Sequence, residues 1–209
     1  MDYRTARNNM VESQVRPSDV TDLDLQEAMR IVARERFCAP SRGFCAYADM
    51  DVEICPGRSL MQPREVGKLL QAAKPRAGER ALALAAPYAA AVMSVMGLKV
   101  TAQESDGRAA AVLAHALEDY GVDFRTADLA APEGADWDLI VCEAAVSEVP
   151  QAWTSALKLG GRLAVVQRDG PVGKARIFQR MTQGATSHEV FDATPPMLPG
   201  FERARSFEF

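Results

Sequence analysis

The chain has 209 residues, 48% of them apolar, enough for one sizeable core in a single domain. Lysine and arginine number 24 against 28 aspartates and glutamates, a net charge of −4, which leaves no basic surplus for a phosphate-tracking nucleic-acid binder. Apolar runs fall short of the roughly 18 residues of a membrane span, and Met1-Asp2-Tyr3-Arg4 lacks the apolar stretch of a signal peptide, so a cytoplasmic protein that binds neither nucleic acid nor membrane is expected.

In chain order, Met1 to about Cys55 reads as helical. Ser18–Asp24 supplies capping residues ahead of Leu25, Met29 and Val32, which share one helix face. Gly57–Pro63 reads as a loop, and Pro63 opens a helix whose apolar face is Val66, Leu69, Leu70 and Ala73. Strands and helices then alternate. Arg80–Ala85 is a strand, Pro87–Met96 a helix stopped by Gly97, and Lys99–Gln103 a strand. Ser105 caps a helix ending at Gly121, Val122–Arg125 is a short strand, and Trp137–Cys142 is the best buried one. Pro150–Leu157 is a helix and Arg162–Gln167 a fifth strand. This alternation predicts an α/β fold: a doubly wound, mostly parallel sheet covered on both faces. Lys174–Met181 and His188–Ala193 read as an antiparallel hairpin at its edge. Pro195–Pro199 reads as a rigid loop over a sheet edge, and Phe207 with Phe209 as a short last strand.

Ligands of such sheets bind beyond the carboxyl ends of the strands. The turn after the first parallel strand, Ala85-Ala86-Pro87-Tyr88, has no glycine, and residues 79–96 contain none. Seven of the eleven residues from Ala81 to Ala91 are alanine, in a chain with 35 alanines and 14 glycines. Proline removes a donor there, and alanine resists positive φ. Glu104, after the second strand, is either a ribose acceptor or a solvated capping residue. Asp128 is either an adenine acceptor or a turn former. Glu143, just past the buried strand, points into the same mouth or merely ends the strand. Cys38, Cys45, Cys55 and Cys142 show no metal-ligand spacing, and with His115 and His188 as the only histidines no metal site is expected. The cysteines read as reduced and mostly buried.

Six segments carry a resemblance: MVESQVR (Met10–Arg16), Ala28-Met29 with RERF (Arg34–Phe37), AYAD (Ala46–Asp49), ICPGRSLMQP (Ile54–Pro63), WDLIVCEAAVSEVP (Trp137–Pro150) and LKLGGRL (Leu157–Leu163). In this order and spacing the chain resembles the protein-L-isoaspartate O-methyltransferase family of S-adenosylmethionine-dependent enzymes. The likeness runs from about Asn9 to Gln167, and the C-terminal part is similar to a bacterial branch. It implies a Rossmann-like methyltransferase fold in one domain, with an N-terminal helical extension and active-loop region (1–78) and a core with a C-terminal hairpin (79–209). It further implies S-adenosylmethionine as cofactor and a damaged protein as substrate, methylated on the α-carboxyl of an L-isoaspartyl residue. The ester then collapses to a succinimide. Such catalysis rests mainly on aligning carboxylate and methyl donor. The residues carried over are Ser59 and Gln62 on the active loop, and Ala85, Tyr88, Glu104, Asp128 and Glu143 around the cofactor.

Three departures fall on the chemistry. Gly57-Arg58-Ser59-Leu60-Met61-Gln62-Pro63 stands where the family usually reads Gly-Gln-Thr-Ile-Ser-Gln-Pro, so Met61 replaces the reacting-centre serine, and a thioether donates no hydrogen bond. The glycine-rich cofactor loop is reduced to alanine and proline, and the usual Gly-Asp-Gly is Ala127-Asp128-Leu129. Lost backbone donors at about 1 kcal/mol each weaken cofactor binding by orders of magnitude. The expectation is a catalytically impaired or non-catalytic member that binds a protein partner. The alternative is an active carboxyl methyltransferase. Arg4, Arg7, Arg16, Arg30, Arg34, Arg36 and Arg42 form either a solvated charged face or a partner or self-association surface.

Overall fold

The computed structural model describes residues 2–203. Asp2 caps helix α1 (Tyr3–Met10) by accepting from the Thr5 N–H, and Asp22 caps α2 (Leu23–Ile31) through the Leu25 N–H. A two-stranded hairpin follows, β1 (Val52–Cys55) and β2 (Arg58–Leu60), turned by Gly57 at φ +87°. The sequence reading had helix and loop here, because two strands this short leave little alternation to read. Helix α3 (Pro63–Ala73) starts on its proline and buries Val66, Leu69, Leu70 and Ala73.

The main sheet contains β3 (Arg80–Leu84), β4 (Lys99–Glu104), β5 (Asp123–Thr126), β6 (Trp137–Val146), β7 (Leu157–Gln167), β8 (Gly173–Arg180) and β9 (Ala185–Ala193). Their spatial order is β5-β4-β3-β6-β7-β8-β9; the first five are parallel, and β8 and β9 form the antiparallel hairpin. The strand order reverses beside β3, so the switch point lies between the ends of β3 and β6.

One face carries α3, α4 (Pro87–Val95), α5 (Gly107–Asp119) and the N-terminal helices, in an apolar cluster running from Met10 to Ala193. Helix α4 is apolar all round and lies under the N-terminal helices. Ala89, Ala90 and Ala91 are fully buried, so small side chains let the layers approach closely. The second face is covered mainly by loops. The five-residue α6 (Gln151–Ser155) packs there with segments 127–136 and 195–201 around Trp153, whose indole N–H donates to the Leu129 carbonyl at 2.7 Å.

Three local readings change. Strand β6 continues to Val146, so Glu143 lies inside it. Asp106, not Ser105, caps α5, through the Arg108 N–H at 2.8 Å. The N-terminal arginines are tied into the chain: Arg7 bonds Tyr47 and the carbonyls of Arg30 and Ile31, Arg16 and Arg30 pair with Glu12, Arg36 with Asp119 and Arg42 with Glu53. Arg7, Arg30 and Arg36 thus tie separate stretches of the chain together, while the side chains of Arg16 and Arg42 stay more than half exposed. The reading of Phe207 and Phe209 lies outside the described residues. Among the described residues no helix is long and apolar enough to cross a membrane.

Candidate cofactor cleft

The turn after β3 reaches the switch point without glycine. Ala85 takes φ +46°, the left-handed region that glycine normally fills. Its N–H donates to the Gln103 carbonyl at 3.0 Å, which holds the turn against β4. Pro87 opens α4, whose cap residue Ala86 offers no side-chain acceptor. The acceptor comes from β6 instead, where Glu143 receives the Ala89 N–H. A carboxylate from the protein itself thus sits at the start of α4, the place that attracts an anionic ligand group in such folds.

Glu143 is fully buried. Burial pushes its carboxyl up to about 7, against the opposing pull of Arg34 and of the Ala89 and Tyr88 backbone N–H groups. Behind it lies Arg34, also fully buried, donating to the Ala46 carbonyl at 2.8 Å and the Met61 carbonyl at 2.5 Å. The Arg34 guanidinium stacks 4.7 Å from the centre of the Tyr88 ring. Tyr88 has no exposed surface and packs edge-on to Phe37, so its ring turns into the core rather than the cleft.

Glu104 is buried at the end of β4 and is already engaged. Arg58 Nε lies 3.1 and 3.2 Å from its two carboxylate oxygens, and the Ser105 and Asp106 N–H groups each donate to Oε1 at 2.8 Å. Arg58 also reaches Ser105 Oγ at 3.3 Å, and its side chain is 8% exposed. The solvated-loop reading of Glu104 is therefore corrected: it is the buried end of a cross-loop ion pair. Nothing in the spacing of Arg58 points to Glu104, 46 positions away. The signal was in Arg58 itself, an arginine where the family usually has glutamine.

Ser59 faces Glu53 across the small hairpin and lines a cleft with Ala85, Glu143 and Arg58. The Gln62 N–H donates to Asp51 Oδ1 at 3.1 Å, while its side chain leaves the start of α3 uncapped. Met61 is fully buried in the main apolar cluster. Asp128 Oδ1 accepts the Ala130 N–H at 2.9 Å and so stabilises its own turn, and Gln103 grips the Asp128 carbonyl at 2.6 Å. The structure thus brings Ser59, Ala85 and Glu143 to one cleft and Ala85 and Glu104 to a second, while Tyr88, Gln62 and Asp128 line neither. Cys142 is buried, its thiol pushed up to about 12, so it is no reactive nucleophile.

The proline loop covers the edge of β6 left open beyond the end of β3, with a parallel bridge between Ala145 and Met197, and so lies beside this mouth. The Ala145 N–H donates to the Pro196 carbonyl at 3.0 Å, and the Leu198 N–H to the Ala145 carbonyl at 2.7 Å. Pro199 packs beside Gly57. Beneath it the first cleft holds about 10 Å³, and so does the second, between Ala85, Pro87, Glu104 and Phe124. A site for a drug-sized ligand needs roughly 300 Å³ or more. Two open grooves of about 460 and 480 Å³ lie toward the other end of the strands, one beside Arg80, Lys99 and Trp137, the other beside Lys74, Glu79 and Arg162.

This strand order, with a carboxylate ending β4 and a mouth at the β3–β6 switch point, defines a Rossmann-like methyltransferase fold. A Plasmodium falciparum chain described as a protein-L-isoaspartate O-methyltransferase in complex with S-adenosyl-L-homocysteine superposes with a TM-score of 0.78 at 17% identity, over 92% of this chain and 97% of that one. The family model described as protein-L-isoaspartate(D-aspartate) O-methyltransferase matches residues 5–193. The Methylorubrum populi protein-L-isoaspartate O-methyltransferase is 35% identical over 93% of this chain and 96% of its own length, and the Gloeobacter violaceus one is 33% identical over 83% and 85%. The chain belongs to the protein-L-isoaspartate O-methyltransferase family.

As arranged, the cleft residues do not fit S-adenosylmethionine. Glu104 is paired with Arg58, and the start of α4 already holds a carboxylate.

Proposed function

We propose that this chain is a family member whose cofactor cleft is closed by its own side chains, which leaves it catalytically impaired or non-catalytic and working through a protein partner. The observations that support this most are the buried pairing of Glu104 with Arg58 and the carboxylate of Glu143 taking the Ala89 N–H at the start of α4, the two places where a nucleoside ligand would bind. The intact core argues that the scaffold is stable without a ligand.

A second reading keeps the enzyme: an S-adenosylmethionine-dependent carboxyl methyltransferase acting on L-isoaspartyl residues. It is favoured by Ser59 lining the first cleft and by the names of the relatives at 33–35% identity. Methyl transfer separates the two. With methyl-labelled S-adenosylmethionine and an isoaspartyl peptide, base-labile label at the no-protein background is the expected result. Label that grows with protein concentration and saturates with peptide establishes the second reading instead.

A further inference from the structure

We infer that Arg58 is the residue that sets nucleoside affinity in this chain, by occupying the carboxylate a ribose would need. This deepens the reading of a closed cleft and rests on it. Three observations converge. Glu104 ends the second strand of a doubly wound sheet, the place from which a carboxylate accepts ribose hydroxyls. Both of its oxygens face Arg58 Nε at 3.1 and 3.2 Å, with the pair almost out of solvent, so a ribose can engage Glu104 only by breaking a buried charge pair. Arg58 is not an incidental neighbour, for it is carried on β2, in the active loop, and lines the first cleft beside Ser59, Ala85 and Glu143. One guanidinium therefore bridges the active-loop side and the ribose side of the mouth.

The pairing is directional. Glu104 keeps two backbone donors, the Ser105 and Asp106 N–H groups, when Arg58 leaves, so its carboxylate remains oriented toward the mouth and competent to accept hydroxyls. Exchange of the arginine for an uncharged side chain frees the acceptor without removing its scaffold. A charge-assisted pair of this kind corresponds to at least about tenfold in ligand affinity.

The test uses the full chain and its Arg58→Gln variant, titrated calorimetrically with 5′-methylthioadenosine and with its 2′,3′-dideoxy analogue. The expected result is that Arg58→Gln binds methylthioadenosine at least about tenfold tighter than the parent, with no gain for the dideoxy analogue. Equal or weaker binding by a folded Arg58→Gln overturns the inference, and so does silence from both proteins at millimolar ligand. An equal gain for both ligands also overturns it, since Arg58 would then act by bulk and not at the ribose hydroxyls. If Arg58→Gln fails to fold, Arg58→Lys keeps the charge but loses the fork, and a gain of about threefold is expected; no gain overturns the inference. Tight binding by the parent would contradict the closed cleft, while the ratio between parent and variant still decides the role of Arg58.

Discussion

Replacing Glu143 by glutamine turns a pH-dependent liability of the fold into a neutral contact. The folded carboxyl is pushed up to about 7 against an ordinary value of 4.5. Between those values the folded chain holds the proton and the unfolded chain releases it. The stability this group contributes is therefore complete below about 4.5 and is lost as pH rises through 7. From pH 5 to pH 8 the loss amounts to about 2–3 kcal/mol. Glutamine retains an acceptor for the Ala89 N–H and cannot ionise. Urea unfolding of both proteins at pH 5 and pH 8 isolates this carboxyl, because every other titrating group cancels in the difference. Relative to the parent, Glu143→Gln should gain about 2–3 kcal/mol between the two pH values. A difference that stays constant within about 0.5 kcal/mol would refute the buried, half-titrating carboxylate.

Other outcomes follow from the same geometry. Ala85→Gly should be nearly neutral, since relief of a left-handed alanine, about 1–2 kcal/mol, offsets the lost methyl and the added chain entropy, whereas Ala90→Gly inside α4 should cost about 2 kcal/mol; equal costs in thermal unfolding would contradict the strain at Ala85. Arg34→Met strands the Ala46 and Met61 carbonyls and leaves Glu143 without its buried counter-charge, and should cost about 3–5 kcal/mol, lowering Tm by about 10 °C or more; a shift under about 2 °C in calorimetry would be incompatible with that role. Of the four thiols, only Cys45 should react promptly with a disulfide reagent at pH 8 in the native chain, because Cys38, Cys55 and Cys142 are buried. Fast labelling of Cys142 by mass spectrometry would show that β6 is open at its end.

Much of the scaffold was legible because its signals are local. The 3.6-residue spacing of Val66, Leu69 and Leu70 marks α3, and the apolar run of WDLIVC marks β6. The hairpin of β8 and β9 followed from two extended runs about a turn at Gly184. The β1–β2 hairpin was not legible, since three- and four-residue strands carry too few alternations. Nor was the end of β6. Glu143 looks like a strand-ending polar residue until the start of α4 is seen to take it as a cap. The cleft divides the same way. The loss of glycine after β3 was plain in the sequence, but the backbone kept the glycine conformation at Ala85 regardless, which only φ reveals. The pair Arg58–Glu104 spans 46 positions and joins two elements that are far apart in sequence, so no spacing rule could find it. The alanines of α4 serve its close layering beneath the N-terminal helices, where Ala89, Ala90 and Ala91 are fully buried.

The closed cleft is tested most directly by calorimetric titration of the full chain with S-adenosylmethionine and S-adenosylhomocysteine. With Arg58 on Glu104, Glu143 at the start of α4 and the proline loop beside the mouth, no saturable heat is expected for either ligand at concentrations where family enzymes would work. Saturable binding of either ligand with a Kd tighter than about 50 μM, within the range of enzyme substrates, would contradict it.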